Sequence, residues 1–253
     1  MYYYIYDTFL EEKRFARFVN EVEAQINALG LTGERTQASS LRSVGTVTKD
    51  AIERNRQPIV IVGSDASLSQ AIDQACRMQT DVALAYIPVD DASFLARALG
   101  VTASTGVTAL SRRVVLNIRA ARVNEYFFVG QVRCSRLVEN RGLRLRRKNA
   151  LTRFKMTARI DDALHIHGEV LGCHVLNQPQ EALLKLDFLE QDRGRRQKQH
   201  APSSSFSSPA LELTSKTPFE TNVDGRRVVR SPLIITTTKV HVPLIVGRDR
   251  LFS

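Results

Sequence analysis

The 253-residue sequence has no tryptophan and only three cysteines, Cys76, Cys134 and Cys173, with no CxxC pair among them. A disulfide framework is thereby excluded, and an odd cysteine count without a signal-like start points to a reducing cytoplasm. No apolar run approaches the ~20 residues of a membrane span, so any membrane contact is expected to be peripheral. Walker loop, nucleophile elbow and G-x-G-x-x-G are all missing; Ser64 after Gly63 lacks the second glycine of an elbow. His165 and His167 share a strand face near Cys173 and His174, but their spacing matches no zinc pattern. Charge of one sign is plentiful: Lys+Arg number 36 against 26 Asp+Glu, a net +10. That balance favours anionic partners such as nucleic acid, nucleotide or acidic lipid headgroups. With 43% apolar residues the chain can bury a core, as one large domain or two small ones, which excludes disorder and fibrous repeats.

Met1 to Asp7 (MYYYIYD) is aromatic and β-branched and reads as a strand. Phe15, Phe18, Val19, Val22, Ile26 and Leu29 then keep helical spacing up to Gly30. A polar helix fits 44–55, and Pro58 to Gly63 (PIVIVG) is the wholly apolar run of a strand buried on both faces in a parallel sheet. A helix over 67–78, a strand over 82–87 and a helix over 93–99 follow. The alternation predicts a Rossmann-like α/β layer with a parallel sheet over residues 1–125. From Val114 onward strands dominate, predicting a mostly antiparallel, β-sandwich-like domain over 126–253. Residues 191–209 are polar, basic and Ser/Pro-rich and read as a mobile surface loop within it.

The most informative stretch is Gly63-Ser64-Asp65-Ala66-Ser67, a buried strand feeding a turn at a helix N-terminus. Unpaired backbone N–H groups and the positive end of a helix dipole make such a turn able to hold phosphate, with Asp65 able to hold Mg²⁺ or accept a proton. The alternative is that Asp65 or Ser67 only caps the helix.

Along most of its length the chain resembles the diacylglycerol kinase catalytic family, relatives of the NAD kinases. The family has G-G-D-G-T after its third strand, P-x-G-T-x-N-D-F-A-R-A-L-G after its fourth, and V-D-G-E late in its β domain. Here G-S-D-A-S, Pro88-Val-Asp-Asp-Ala-Ser-Phe-Leu-Ala-Arg-Ala-Leu-Gly100 and Val223-Asp224-Gly225 stand in the same order. The resemblance implies transfer of the γ-phosphoryl group of ATP, with Mg²⁺, to a lipid hydroxyl. Asp65 would be the catalytic residue and a metal ligand. Gly63, Ser64, Ser67, Pro88 and Ser93 would contact nucleotide, and Asp224 would support a metal or nucleotide site. The departures fall on the chemistry. Ser64 and Ala66 replace glycines, so if that backbone needs positive φ or close phosphate approach, Ala66 is a strain or a block. Asp90, Asp91, Ser93 and Phe94 replace Gly, Thr, Asn and Asp. Arg226 replaces the glutamate of V-D-G-E, and Asp7-Thr8-Phe9 replaces an Asn-Pro loop. Because phosphoryl transfer depends on positioning and electrostatics, two readings stay open: an active lipid kinase, or a degenerate pseudokinase that binds nucleotide or anionic lipid.

Residues 133–155 hold nine Lys/Arg and one Glu. Arg144, Arg146, Arg147 and Lys148 are candidates for an anionic surface. Acidic lipid at the inner membrane face, nucleic-acid phosphates and a merely solvated strand face are the three readings. RNP-like aromatics and a recognition-helix pattern are absent, which weakens the nucleic-acid reading. Nothing in the sequence fixes an oligomeric state.

Overall fold

The structure is a computed structural model that describes residues 1–135, 137–138, 150–151, 153–161, 164–189, 202–216, 219–228 and 231–252. The chain divides into two compact units. The first comprises Met1–Ala120, Phe127–Gly130 and Lys239–Ser253, the second Ala121–Tyr126 and Gln131–Thr238.

The first unit alternates β1 (Tyr2–Tyr6), α1 (Ala16–Ala28), β2 (Gly33–Gln37), α2 (Val44–Glu53), β3 (Ile59–Gly63), α3 (Asp65–Met78) and β4 (Leu84–Pro88). It continues with α4 (Phe94–Leu99) and α5 (Ala103–Arg112). Its sheet is parallel, β3 lying between β1 and β4, with every residue of β3 buried. The central, doubly covered strand expected from PIVIVG is therefore present. β1 is buried as completely, because each tyrosine ring packs while its hydroxyl finds a partner. Tyr2 donates to the Leu110 carbonyl at 3.0 Å and Tyr4 to the Leu31 carbonyl at 2.6 Å; Tyr3 bonds the Thr36 hydroxyl at 2.7 Å.

Two elements were not foreseen in the sequence. β2 (GERTQ) is an edge strand that pairs only with β1 in this sheet, so it needs no apolar run to be stable. α5 is rich in threonine and serine, poor helix formers, yet a capping box between Thr102 and Thr105 starts it. Gly106 lets it approach β4, where a Cβ would meet the Tyr86 carbonyl oxygen at 3.1 Å.

The later strands are β5 (Val115–Val123), β6 (Tyr126–Phe128), β7 (Gln131–Ser135), β8 (Leu137–Val138), β9 (Ala150–Leu151), β10 (Phe154–Ile160) and β11 (Leu164–Val170). After these come β12 (Gly172–Gln178), β13 (Leu183–Leu189), β14 (Pro202–Ser208), β15 (Ala210–Thr214), β16 (Glu220–Val223), β17 (Arg226–Val228) and β18 (Leu233–Ile245). In the second unit, antiparallel pairing runs β11-β10-β15-β18 in one sheet and β14-β13-β12-β7-β16-β17 in the other. The antiparallel β unit expected after the α/β layer is thus observed.

Two boundaries are corrected. The expected division at residue 125 gives way to units in which Lys239–Ser253 belongs with the N-terminal layer, because the end of β18 pairs parallel with β4. The expectation of a mobile loop over 191–209 is corrected for its last residues. Pro202–Ser208 is the strand β14, paired along β13, with Phe206 edge-on to Phe188 at 6.3 Å. Its serines conceal a sheet-edge position, where proline at the first residue is compatible with pairing. Residues 190–201 lie outside the described residues.

Candidate functional site

Parallel pairing of β1, β3 and β4 brings their C-terminal ends together, and six expected site residues lie there. Gly63 stands opposite Pro88 in the register, and its carbonyl accepts from Val89 N–H at 2.9 Å. Ser64, Asp65 and Ser67 open α3, and Ser93 caps α4 by accepting from Ala96 N–H at 3.3 Å.

The turn between β3 and α3 is closed on itself. Ser64 Oγ accepts from Ser67 N–H at 3.4 Å, and Ser67 Oγ accepts from Ser64 N–H at 3.1 Å, forming a capping box. Ser64 has φ −96° and ψ 170°, and Ala66 is helical and not among the positive-φ residues. Alanine in place of glycine therefore introduces no strain here, contrary to the concern raised by the sequence. The Ser67 hydroxyl donates its proton to the carboxylate of Asp7, at the end of β1. Gly63 is required by this packing: a Cβ there would lie 2.8 Å from Ser67 Oγ and 3.0 Å from Asp7 Cβ.

Asp65 is engaged on both oxygens. Oδ1 accepts from the Ser93 hydroxyl at 2.7 Å and lies 3.1 Å from the Tyr86 hydroxyl, and Oδ2 accepts from Leu95 N–H at 3.0 Å. The carboxylate thereby ties α3 to the start of α4 and satisfies one of that helix's unpaired donors. Burial, reinforced by the Asp65 charge, pushes the Tyr86 phenol far above its usual value, so it stays a protonated donor. The two carboxylates of the second loop are also occupied. Asp90 Oδ1 accepts from Ala92 N–H at 2.9 Å, and Asp91 Oδ1 accepts from Ala103 N–H at 2.6 Å, at the start of α5.

The known proteins can be set against this geometry. No protein-family model and no curated protein matches the sequence. Solved structures do match. A diacylglycerol kinase-like protein of Bacillus anthracis superposes with TM-score 0.76 at 13% identity, covering 99% of this chain and 98% of that one. A second from the same organism gives 0.74 at 14% identity and 97% coverage of both. The NAD kinase of Archaeoglobus fulgidus, in complex with ATP, gives 0.58 at 12% identity over 99% of this chain and 95% of that one.

The chain has the fold of the diacylglycerol kinases.

Within that fold, the carboxylate expected to hold Mg²⁺ is drawn into the protein's own hydrogen bonds. Both Asp65 oxygens are bonded internally, and among the described residues no three His, Cys, Asp or Glu side chains are grouped to hold a metal ion. Sequence reasoning missed two members of this constellation, Tyr86 and the acceptor role of Asp7. Tyr86 has one legible signal, a hydroxyl inside an otherwise apolar strand.

Asp224 belongs to the second unit, where it is fully buried at the hairpin between β16 and β17. Its φ of 45° and the 84° of Gly225 are those of a tight hairpin turn, which selects Asp-Gly. Its Oδ1 accepts from Gln131 N–H at 2.6 Å and its own N–H donates to the Gln131 carbonyl at 3.0 Å, joining the hairpin to β7. The histidines do not assemble with the cysteines. His165 and His167 lie on exposed β11, His167 Nδ1 bonding the Thr157 hydroxyl at 2.8 Å, whereas Cys173 and His174 lie on β12 in the other sheet. His174 Nε2 bonds Gln131 Oε1, and burial pushes the imidazole down to about 4, with Arg133 adding to the effect. Arg144, Arg146, Arg147 and Lys148 lie outside the described residues. Among the described residues, no helix is long and apolar enough to cross a membrane.

Proposed function

We propose that the chain is a kinase-like protein of the diacylglycerol kinase fold that keeps a weak nucleotide site at the β3–β4 ends. Phosphoryl transfer to a lipid hydroxyl is lost. The observation that carries the proposal is the engagement of Asp65: the residue the resemblance makes catalytic serves as acceptor for Ser93, Tyr86 and Leu95. A base must offer a lone pair to the acceptor hydroxyl, and three of this carboxylate's roughly four acceptor positions are taken by the protein. Nucleotide binding is supported by the α3 N-terminus and by the fold shared with an ATP-bound NAD kinase. It is weakened by Asp7, Asp90 and Asp91, carboxylates on the loops where phosphates would lie.

Two measurements test this together. Calorimetric titration with ATP, with and without Mg²⁺, is expected to give weak binding that Mg²⁺ does not strengthen. A mixed-micelle assay with diacylglycerol and Mg²⁺–ATP is expected to give no transfer above the protein-free rate. Tight, Mg²⁺-dependent binding would sink the proposal.

The second reading, an active lipid kinase, is favoured by the fold of the Bacillus anthracis neighbours. It requires Asp65 to leave Ser93 and Leu95 when nucleotide binds. The basic segment over 133–155 would then serve as a docking surface for anionic lipid. Retention on acidic vesicles that falls with salt and with charge reversal at Arg144, Arg146 and Arg147 is its test.

A further inference from the structure

The last residues of the first unit run back over the end of α4. Gly247 N–H donates to the Leu99 carbonyl at 2.8 Å, and Leu251 N–H donates to the Ala98 carbonyl at 3.0 Å, so the tail satisfies helix-end carbonyls. The approach is close enough to require glycine twice. A Cβ on Gly247 would lie 1.8 Å from the Gly100 carbonyl oxygen. One on Gly100, whose φ is +67°, would lie 2.7 Å from Arg250 N. The backbone carrying Arg248 and Arg250 is therefore fixed in place.

Between this tail and α5 lies a pocket of 840 Å³, a size usual for small-molecule sites. Thr102, Thr105, Ala109 and Arg112 form its α5 wall, and Val101 and Val246 are buried beneath it. Val114 and Leu251, 43% and 69% exposed, extend the apolar surface at its edge. None of Gly63, Ser64, Asp65, Ser67 or Ser93 lines it.

Four arginines line it, Arg97, Arg112, Arg248 and Arg250, against two carboxylates. One of these, Asp91, is held by Ala103 N–H. Among the described residues no ion pair neutralises any of the four guanidinium groups. Arg250 donates from Nη1 to the Gly247 carbonyl at 3.2 Å, which anchors its guanidinium at the tail. Four guanidinium groups without counter-ions along one pocket favour an anionic occupant.

We propose that this pocket binds an amphiphilic phosphate monoester, its headgroup held by Arg250 and Arg112 and its apolar body lying against Val101, Ala109, Val114 and Val246. The guanidinium fork matches phosphate geometry and keeps its charge at any physiological pH, while the valine surface takes a chain that water does not solvate well. The proposal is independent of whether Asp65 is catalytic.

Calorimetric titration of the full chain with octyl phosphate, n-octanol and inorganic phosphate tests it. Octyl phosphate is expected to bind at least tenfold more tightly than either of the others. Arg112→Gln and Arg250→Gln are each expected to weaken it at least fivefold. Arg112 is exposed, so its variant is expected to melt as the wild type does; Arg250→Lys keeps the test available if Arg250→Gln fails to fold. Equal affinity for octanol and octyl phosphate, equal affinity for inorganic and octyl phosphate, or unchanged affinity in the Arg112 variant would each overturn the proposal.

Discussion

Ser93 donates its hydroxyl proton to Asp65 across 2.7 Å, joining the first helix of the β3 loop to the helix of the β4 loop. Because the same carboxylate also accepts from Leu95 N–H, removing it leaves donors of two kinds unpaired in a half-buried place. Asp65→Ala is expected to lower stability by about 1–3 kcal/mol, the range for stranding a buried polar partner. The denaturant midpoint measures it. A catalytic aspartate with no structural duty would leave the midpoint unchanged.

Asp7 places a carboxylate at the N-terminus of α3, where it holds the Ser67 hydroxyl. An anion approaching that helix end meets a charge of its own sign. Asp7→Asn is expected to strengthen ATP or inorganic phosphate binding about twofold to fivefold, since one charge at a helix end contributes about 0.3–1 kcal/mol. Titration calorimetry of both proteins reads the ratio.

Ala66 sits in ordinary helical backbone, so restoring the family glycine relieves nothing. Ala66→Gly is expected to cost up to about 1 kcal/mol of stability, with no gain in nucleotide affinity. A clear gain in affinity would show that the loop needs a conformation alanine forbids.

The second unit carries the clearest pH signature. His174 titrates at about 4 in the folded chain because burial disfavours the imidazolium, against an ordinary value near 6.5. Between those values the unfolded chain binds the extra proton, so stability is complete above about pH 6.5 and falls as pH drops toward 4. Arg133 and Lys185 push in the same direction as burial, and Asp187 opposes them. His174→Gln is expected to flatten the fall in denaturant midpoint between pH 6.5 and 4. An unchanged profile would assign that pH dependence to other groups.

Much of the fold was legible because burial on both faces writes itself as an unbroken apolar run, as in Ile59 to Val62. Polar edges write nothing so plain. β2 and β14 are strands by virtue of their neighbours, Tyr2 to Tyr6 and Leu184 to Leu189, and their own residues read as loops. The site divides in the same way. Gly63, Ser64, Asp65, Ser67, Pro88 and Ser93 could be placed together from strand order and local turns. The bond from Ser67 to Asp7 spans 60 positions and exists only because β1 and β3 pair in parallel with Tyr6 opposite Val62. What Asp65 does with its two oxygens depends on how α4 begins, a geometry that no spacing within the motif records.

The most direct test of the account is transfer of labelled phosphate from Mg²⁺–ATP to diacylglycerol in mixed micelles by the full chain, alongside Asp65→Asn. The account predicts no transfer above the protein-free rate from either protein, and a lower denaturant midpoint for the variant. Sustained turnover by the wild type, abolished in Asp65→Asn while the midpoint stays where it was, would contradict it.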